Sequence, residues 1–373
     1  MMQLADILAA RRIVVKVGSS LLVRDGKPRE DWMRALAREL AQLRIGGCEV
    51  IVVSSGAIAL GAVRLGLDAG GRATLTDAQA AASVGQIELA RLWSVAIADA
   101  APDATVAQIL LTLGDLEDRA RYLNAAATLR RLLALGAVPV VNENDSVATE
   151  EIRFGDNDRL AARVAQAAGA EAVLLLSDVA GLYDRDPADP GAKLVPQVDG
   201  IDAATLAMAG AGSSSGMGSG GMASKLEAAR IAERAGIALA IIDGRGDAPI
   251  AAARVNGTGT VFTPQRADGA RKAWLGGRLA PAGTLRIDAG CAAALGEGAS
   301  VLAAGLVAVS GGFRRGDLVT IATLQGAKLA QGLCEYDAAE CRAIAGRREA
   351  EHAGALGYAP RGAVVHRDQL IML

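Results

Sequence analysis

VVKVGSS (14–20) reads as a β-strand running into a glycine-serine turn, with one lysine set among valines. Extended backwards it becomes RIVVKV (12–17), a run that is apolar on both faces apart from Lys16. Strands buried on both sides lie inside parallel sheets covered by helices. The same signature returns at 50–54 (VIVVS), 105–111, 138–142 (VPVVN), 172–177 (AVLLLS) and 238–243 (ALAIID). Between these runs, apolar residues recur with helical spacing over roughly 31–45, 77–100, 116–135, 157–169 and 222–236. The alternation predicts an α/β domain, a mostly parallel central sheet sandwiched by helices. Ligands of such sheets gather beyond the carboxyl ends of the strands. The polar residues fall at those ends: Lys16, Ser54–Ser55–Gly56, Asn142 and Ser177–Asp178.

A lysine inside an apolar strand is costly unless it reaches water or a partner. An edge-strand lysine that snorkels to solvent is the plain alternative for Lys16, but Gly18, Ser19 and Ser20 follow at once and favour a ligand. A second lysine, Lys225, opens a helical pattern just after GMGSGGMAS (216–224). Residues 216–221 formally match G-x-G-x-x-G, yet the segment before them, LAMAGAGSSS (206–215), is no strand, so a dinucleotide fingerprint fails its context. Nor is it a Walker A loop, because Lys225 does not follow a glycine. What remains is physical. Glycines let backbone N–H groups approach phosphate oxygens, and the helix start adds a positive dipole end. The dipole disfavours a cation at Lys225, and a bound anion compensates. A solvated loop lysine is the alternative. Two such cations define a site that faces a phosphate chain.

Two further segments are polar. SSGAIALG (54–61) is a strand end, a tight turn and a helix start, able either to grip a carboxylate or simply to cap the helix with serine. NENDSVATEEIRFGDNDRLAAR (142–163) carries Asn142, Asp145, Asn157 and Asp158. Carboxylates and amide oxygens suit an ammonium, and amide NH₂ groups suit a carboxylate, so the set fits a zwitterionic substrate. A carboxylate near the two lysines holds them in place and keeps them charged. The alternatives are a solvated loop and plain capping of the helix that follows.

The rest of the composition bounds the answer. A chain of 373 residues, 51% hydrophobic, is long enough for two or three domains with a substantial core. After residue 245 the pattern changes. Residues 246–272 are rich in Gly, Pro and Arg and look like a linker, and stretches such as VLAAGLVAVSGGFRRGDLVTI (301–321) read as short strands of a small β-barrel or sandwich. The boundaries we draw are 1–258, a linker over 259–273, and a second domain over 274–373 with its core at about 274–362. Net charge is −2, which argues against indiscriminate binding of nucleic acid or anionic lipid. The longest apolar runs are strand-sized, and Arg11 and Arg12 follow the first apolar stretch rather than precede it, so neither a membrane span nor a secretory signal is expected. Cys48, Cys291, Cys334 and Cys341 show no zinc or disulfide spacing, consistent with a reduced, cytoplasmic protein. The only histidines are His352 and His366, which removes histidine-based acid–base chemistry and histidine-ligated metal from the first 350 residues.

Taken together, VVKVGSSLL, VVSSGAIALG, NENDSVAT, FGDNDRLAA, SDVAGLYDRDP and GMGSGGMASKLEAA resemble, in order, the blocks of the amino-acid kinase family. Within it they resemble members that phosphorylate the γ-carboxylate of L-glutamate, the first step of proline biosynthesis. The region from about 274 to 362 resembles a PUA domain. The resemblance implies the amino-acid kinase fold followed by a small β-barrel-like PUA domain, ATP and Mg²⁺ as cofactors, a homo-oligomer, and feedback inhibition by proline. Carried over by motif, Lys16, Gly18 and Ser19 would meet the ATP phosphates. Ser177, Asp178 and the run Ser219, Gly220, Gly221, Met222, Ala223, Ser224 and Lys225 would meet the nucleotide. Ser55, Asp145 and Asn157 would bind glutamate with Asn142 nearby, and Asp158 would orient the two lysines. The metal would be bound through the ATP phosphates alone. Family members often carry Thr where Ser54 and Ser177 stand, and the hydroxyl is retained. RNA binding by the PUA-like region is a minor alternative, because Arg314, Arg315, Arg347, Arg348 and Phe313 offer few charges and little stacking surface.

Overall fold

The computed structural model describes residues 2–24, 26–147, 157–209, 221–264 and 281–373. It divides into two compact units, one of residues 1–117 and 125–267, the other of residues 118–124 and 268–373.

The first unit is built on an eight-stranded sheet. Its strands are β1 (Arg12–Val17), β2 (Glu49–Ser54), β3 (Val106–Leu111), β4 (Val138–Glu143), β5 (Ala172–Ser177), β6 (Gln197–Val198), β7 (Ala238–Asp243) and β8 (Thr260–Phe262). They lie in the order β3-β4-β2-β1-β5-β7-β8-β6. Pairing is parallel except between β7 and β8. The apolar runs in the sequence are therefore the inner strands, and Ile13, Val14, Val15 and Val17 are fully buried because helices cover both sides. The longer helices among residues 30–234 are α1 (Glu30–Ile45), α2 (Ala57–Leu65), α3 (Leu75–Ala100), α4 (Arg119–Ala134), α5 (Asn157–Ala168) and α6 (Met222–Arg234).

Register brings the polar strand ends level. Lys16 pairs with Val53 on one side and Leu175 on the other, Val17 with Ser54 and Leu176, and Ser177 with Asp243. The chain order reverses around β1, whose neighbours β2 and β5 lead into different arms of the sheet. Diverging connections open a crevice at such a point. The stretch 246–272, read from composition as a linker, holds a helix at Pro249–Asn256 and then β8. Pro249 at the first turn starts the helix, since its missing N–H has no intrahelical partner there. Local composition did not show that β8 would add to the sheet. The helical reading over 116–135 is split at Asp118, into Leu113–Glu117 and α4.

The second unit carries a five-stranded sheet of β9 (Gly283–Ile287), β10 (Leu306–Gly311), β11 (Leu318–Thr323), β12 (Lys328–Leu333) and β13 (Leu370–Met372), in the order β10-β9-β11-β12-β13. Leu285, Val319, Ile321, Phe313 and Tyr336 form its core with Cys334 and Cys341. Cys291 is partly exposed, and all four cysteines are free thiols. Among the described residues no helix is long and apolar enough to cross a membrane.

Candidate active site

Lys16 and Lys225 meet on one carboxylate. Lys16 Nζ lies 2.6 Å from Asp158 Oδ1, and Lys225 Nζ lies 3.2 Å from Asp158 Oδ2. The three residues come from β1, the start of α6 and the start of α5, 209 positions apart at the extremes. All are buried, with 5%, 6% and 1% of their surface exposed for Lys16, Lys225 and Asp158. Burial alone would raise the Asp158 pKa. The two ammonium groups overcome it and hold the carboxyl below its ordinary value. The triad carries one positive charge in excess, in a place where water is scarce. An anion that enters there meets two cations already fixed in position.

The turn after β1 shapes this half of the site. A Cβ built on Gly18 would lie 3.7 Å from Lys16 Nζ and 4.0 Å from the Leu176 carbonyl oxygen, so the lysine head curls back over a bare stretch of backbone. Ser19 opens the helical turn that follows. On the neighbouring strand, Ser177 ends β5 buried and donates to Asp178 Oδ1 at 3.3 Å, while Asp178 is exposed. Gly221 is the N-cap of α6 in an extended conformation with no side-chain cap. Met222, Ala223 and Ser224 form the first turn of that helix, and Gly221 brings no side chain to cap its leading N–H groups. Ser219 and Gly220, with most of the glycine stretch, lie outside the described residues.

A second cluster surrounds the end of β4. Asn157 Nδ2 donates to Ser55 Oγ at 2.9 Å and, over a long 3.4 Å, to Asn142 Oδ1. Asn142 Nδ2 donates to Gln86 Oε1 at 2.7 Å. Ser55, Asn142 and Asn157 are buried. Both Asn157 amide hydrogens are thus used inside the protein, and its Oδ1 is buried with no hydrogen-bond partner among the described residues. Asp145 Oδ1 is in the same condition. Burial pushes the Asp145 carboxyl up to about 6, against the opposing field of Arg72. Buried acceptors without donors are rare in folded proteins, and each costs about 1–3 kcal/mol. Two of them tied to one strand end mark a place where a donor-rich ligand group belongs.

The sequence reading grouped Lys16, Lys225 and Asp158, and grouped Ser55, Asp145 and Asn157 with Asn142; the first three meet, and Ser55, Asn142 and Asn157 are joined by hydrogen bonds that do not include Asp145. It did not name Gln86, Arg72 or Trp93. Trp93 Nε1 donates to Ser54 Oγ at 2.8 Å in the core, which makes Ser54 a structural partner while its neighbour Ser55 faces Asn157. Gln86 and Trp93 sit in a long helix, where a polar residue reads as a solvent face, and Arg72 sits in a loop with no pattern of its own.

Comparison with known proteins agrees with this geometry. The sequence pattern of the Amino acid kinase family matches residues 11–243, and that of the PUA domain matches residues 283–354. The chain is 62% identical to the glutamate 5-kinase of Novosphingobium aromaticivorans, over 100% of this chain and 98% of that protein. It is 53% identical to the glutamate 5-kinase of Zymomonas mobilis, over 97% of this chain and 91% of that one. Among solved structures, carbamate kinase from Giardia lamblia bound to AMP-PNP shares the fold, with a TM-score of 0.51 at 15% identity over 69% of this chain and 100% of that chain. With its two lysines on one buried carboxylate at the crevice of a parallel sheet, and a family pattern that spans that sheet, the chain belongs to the amino acid kinase family.

Proposed function

We propose that the chain transfers the γ-phosphoryl group of ATP to the side-chain carboxylate of L-glutamate, giving L-glutamyl 5-phosphate for proline biosynthesis. The observation that carries the reading is the convergence of Lys16 and Lys225 on opposite oxygens of Asp158. The names of the relatives support it.

The mechanism follows from charge. The acceptor carboxylate has an ordinary pKa of about 4.3, so it is ionised at neutral pH and needs no base. What the protein must do is bring two anions together in line and neutralise the charge on the transferring group. Lys16 and Lys225 supply that neutralisation. Asp158 pairs with both and aims them, and its burial stops it from wandering. The start of α6, whose N-cap Gly221 has no side chain, offers N–H groups to phosphate oxygens. Ser177 and Asp178 border the nucleotide. Mg²⁺ would neutralise phosphate charge when bound. Both Asp158 oxygens already touch ammonium groups, so this carboxylate fits the lysines better than a metal, and the phosphate oxygens would hold the ion.

The acceptor half chooses the substrate. Asp145 Oδ1 and Asn157 Oδ1 are acceptors that call for an ammonium. Glutamate supplies one; N-acetylglutamate, carbamate and UMP do not. Ser55, which accepts from Asn157, keeps its hydroxyl hydrogen for a carboxylate. Proline carries the same ammonium and carboxylate pair without a reactive side chain, which supports inhibition at this half of the site. The test is ADP release coupled to a reporter, with ATP, Mg²⁺ and a panel of L-glutamate, L-aspartate, N-acetylglutamate, carbamate and UMP, each with and without proline. Turnover on glutamate alone, reduced by proline, is the expected result. Turnover on another acceptor with none on glutamate would remove the reading.

A further inference from the structure

The orphan oxygen of Asn157 exists only because a chain of amides runs in one direction. A primary amide carries a donor and an acceptor on opposite sides, so a row of them can run either way. In this protein the row is Gln86, Asn142, Asn157, Ser55. Gln86 Oε1 takes a hydrogen from Asn142 Nδ2, which turns Asn142 Oδ1 toward Asn157. Asn157 then spends its NH₂ on Asn142 and Ser55 and leaves Oδ1 over. Reversed, the same residues would leave an NH₂ in that place, and the site would favour an anion over an ammonium.

We propose that Gln86 is a positioning residue that sets the polarity of this amide row, and so makes the acceptor half of the site select a substrate bearing a free ammonium. The fold puts Gln86 there by close helix packing. A Cβ on Gly85 would come 1.8 Å from the Ala57 carbonyl oxygen, and one on Gly61 would come 1.8 Å from the Ala81 carbonyl oxygen. Helices α2 and α3 therefore touch backbone to backbone. This close contact sets the residue after Gly85 beside the start of α2, which Ser55 leads into. Gln86 touches no reacting atom. It acts through Asn142 and Asn157.

The inference rests on the reading of glutamate as the acceptor, and the experiment separates the two. Steady-state kinetics are measured for the wild type, Gln86→Glu and Gln86→Met, with L-glutamate and with glutarate, which lacks the amino group. Glutamate at position 86 can accept from Asn142 and cannot donate to it, so it preserves the observed direction. Methionine keeps the volume, cannot donate, and accepts only weakly through its sulfur. The expected result is a glutamate KM near that of the wild type in Gln86→Glu. In Gln86→Met it rises about tenfold, with kcat and the KM for ATP little changed and the preference for glutamate over glutarate reduced. A merely structural role would move the melting temperature and both substrates' KM together. An equal rise in KM for both variants, or an unchanged KM in Gln86→Met, overturns the proposal. Since Gln86→Glu is nearly isosteric, a tenfold KM increase in that variant alone also overturns it, even if Gln86→Met fails to fold. A wild type that does not phosphorylate glutamate at all ends the underlying reading instead, and this proposal with it.

Discussion

Asp158 and Asp145 are both nearly inaccessible, with 1% and 7% of their surface exposed, and the protein treats them in opposite ways. Asp158 holds two ammonium groups and has its pKa lowered. Asp145 has an oxygen without a donor among the described residues, and its pKa rises to about 6. The lysine half of the site is thus compensated before any ligand arrives, and the acceptor half has only the field of Arg72, which burial outweighs. The difference assigns the work. A preassembled pair of cations needs no reorganisation when phosphoryl charge develops, which is where electrostatic catalysis is strongest. An uncompensated carboxylate is satisfied only by the right cationic group, and that is how a site discriminates between acceptors.

The largest break in the comparison comes from the lysine half. Lys225→Ala should lower kcat at least about a hundredfold, in line with the loss of one charge-stabilising donor. It should leave the circular dichroism spectrum unchanged; a near-normal kcat would take Lys225 out of the mechanism. Asp158→Asn should be as damaging to kcat and also reduce the melting temperature, because two buried ammonium groups then face each other without their counter-charge, at a cost of about 3–5 kcal/mol. A variant with full activity and an unshifted melt would show that the triad is ornamental.

The acceptor half should respond differently. Asp145→Asn should raise the KM for glutamate by about ten- to a hundredfold while the KM for ATP stays put, the expected loss for one charged hydrogen bond. A shift in the ATP constant of the same size would erase the distinction between halves.

Acidity sharpens the comparison further. Only the charged form of Asp145 accepts an ammonium, so kcat/KM for glutamate should fall about tenfold per pH unit once pH drops below about 6. Saturating glutamate favours the charged carboxylate, so kcat should hold over the same range. For stability the signs are opposed. The raised pKa of Asp145 means its charged form weakens the fold at neutral pH, and that penalty is relieved as pH falls through about 6. The lowered pKa of Asp158 contributes stability above the ordinary carboxylate range, lost only as pH falls below it through the folded value. A kcat/KM profile flat from pH 5 to 7 would contradict the assignment of Asp145.

The smallest effect separates two neighbours. Ser54→Ala leaves the buried Trp93 N–H without its acceptor and should cost about 1–3 kcal/mol of stability, read as a lower melting temperature, with the KM for glutamate unmoved. Ser55→Ala should raise that KM with little change in melting.

The lysine half was largely legible in the sequence. A charge in an apolar strand cannot be hidden without a counter-charge, so Lys16 announces a partner, and GDND supplies Asp158 at a helix start. The inner strands were equally plain, since burial on both faces leaves them without polar interruptions. The amide row was not legible past Asn142 and Asn157. Gln86 lies in the middle of a 26-residue helix, and what brings it to the site is the contact of Gly61 and Gly85 across two helices, a tertiary fact with no local signature. Strand β8 was missed for a related reason. Three residues, paired antiparallel to the preceding strand β7 and parallel to the distant β6, do not stand out from the turn-rich stretch that contains them.

Trapping the acyl phosphate tests the account most directly. Purified protein is given ATP, Mg²⁺, L-glutamate and hydroxylamine, and ADP and the hydroxamate of the glutamate side chain are quantified together. The account predicts equal amounts of both, neither of them formed without glutamate and both suppressed at least about a hundredfold in Lys225→Ala. ADP released without hydroxamate, or hydroxamate formed at the wild-type rate once Lys225 is gone, would contradict it.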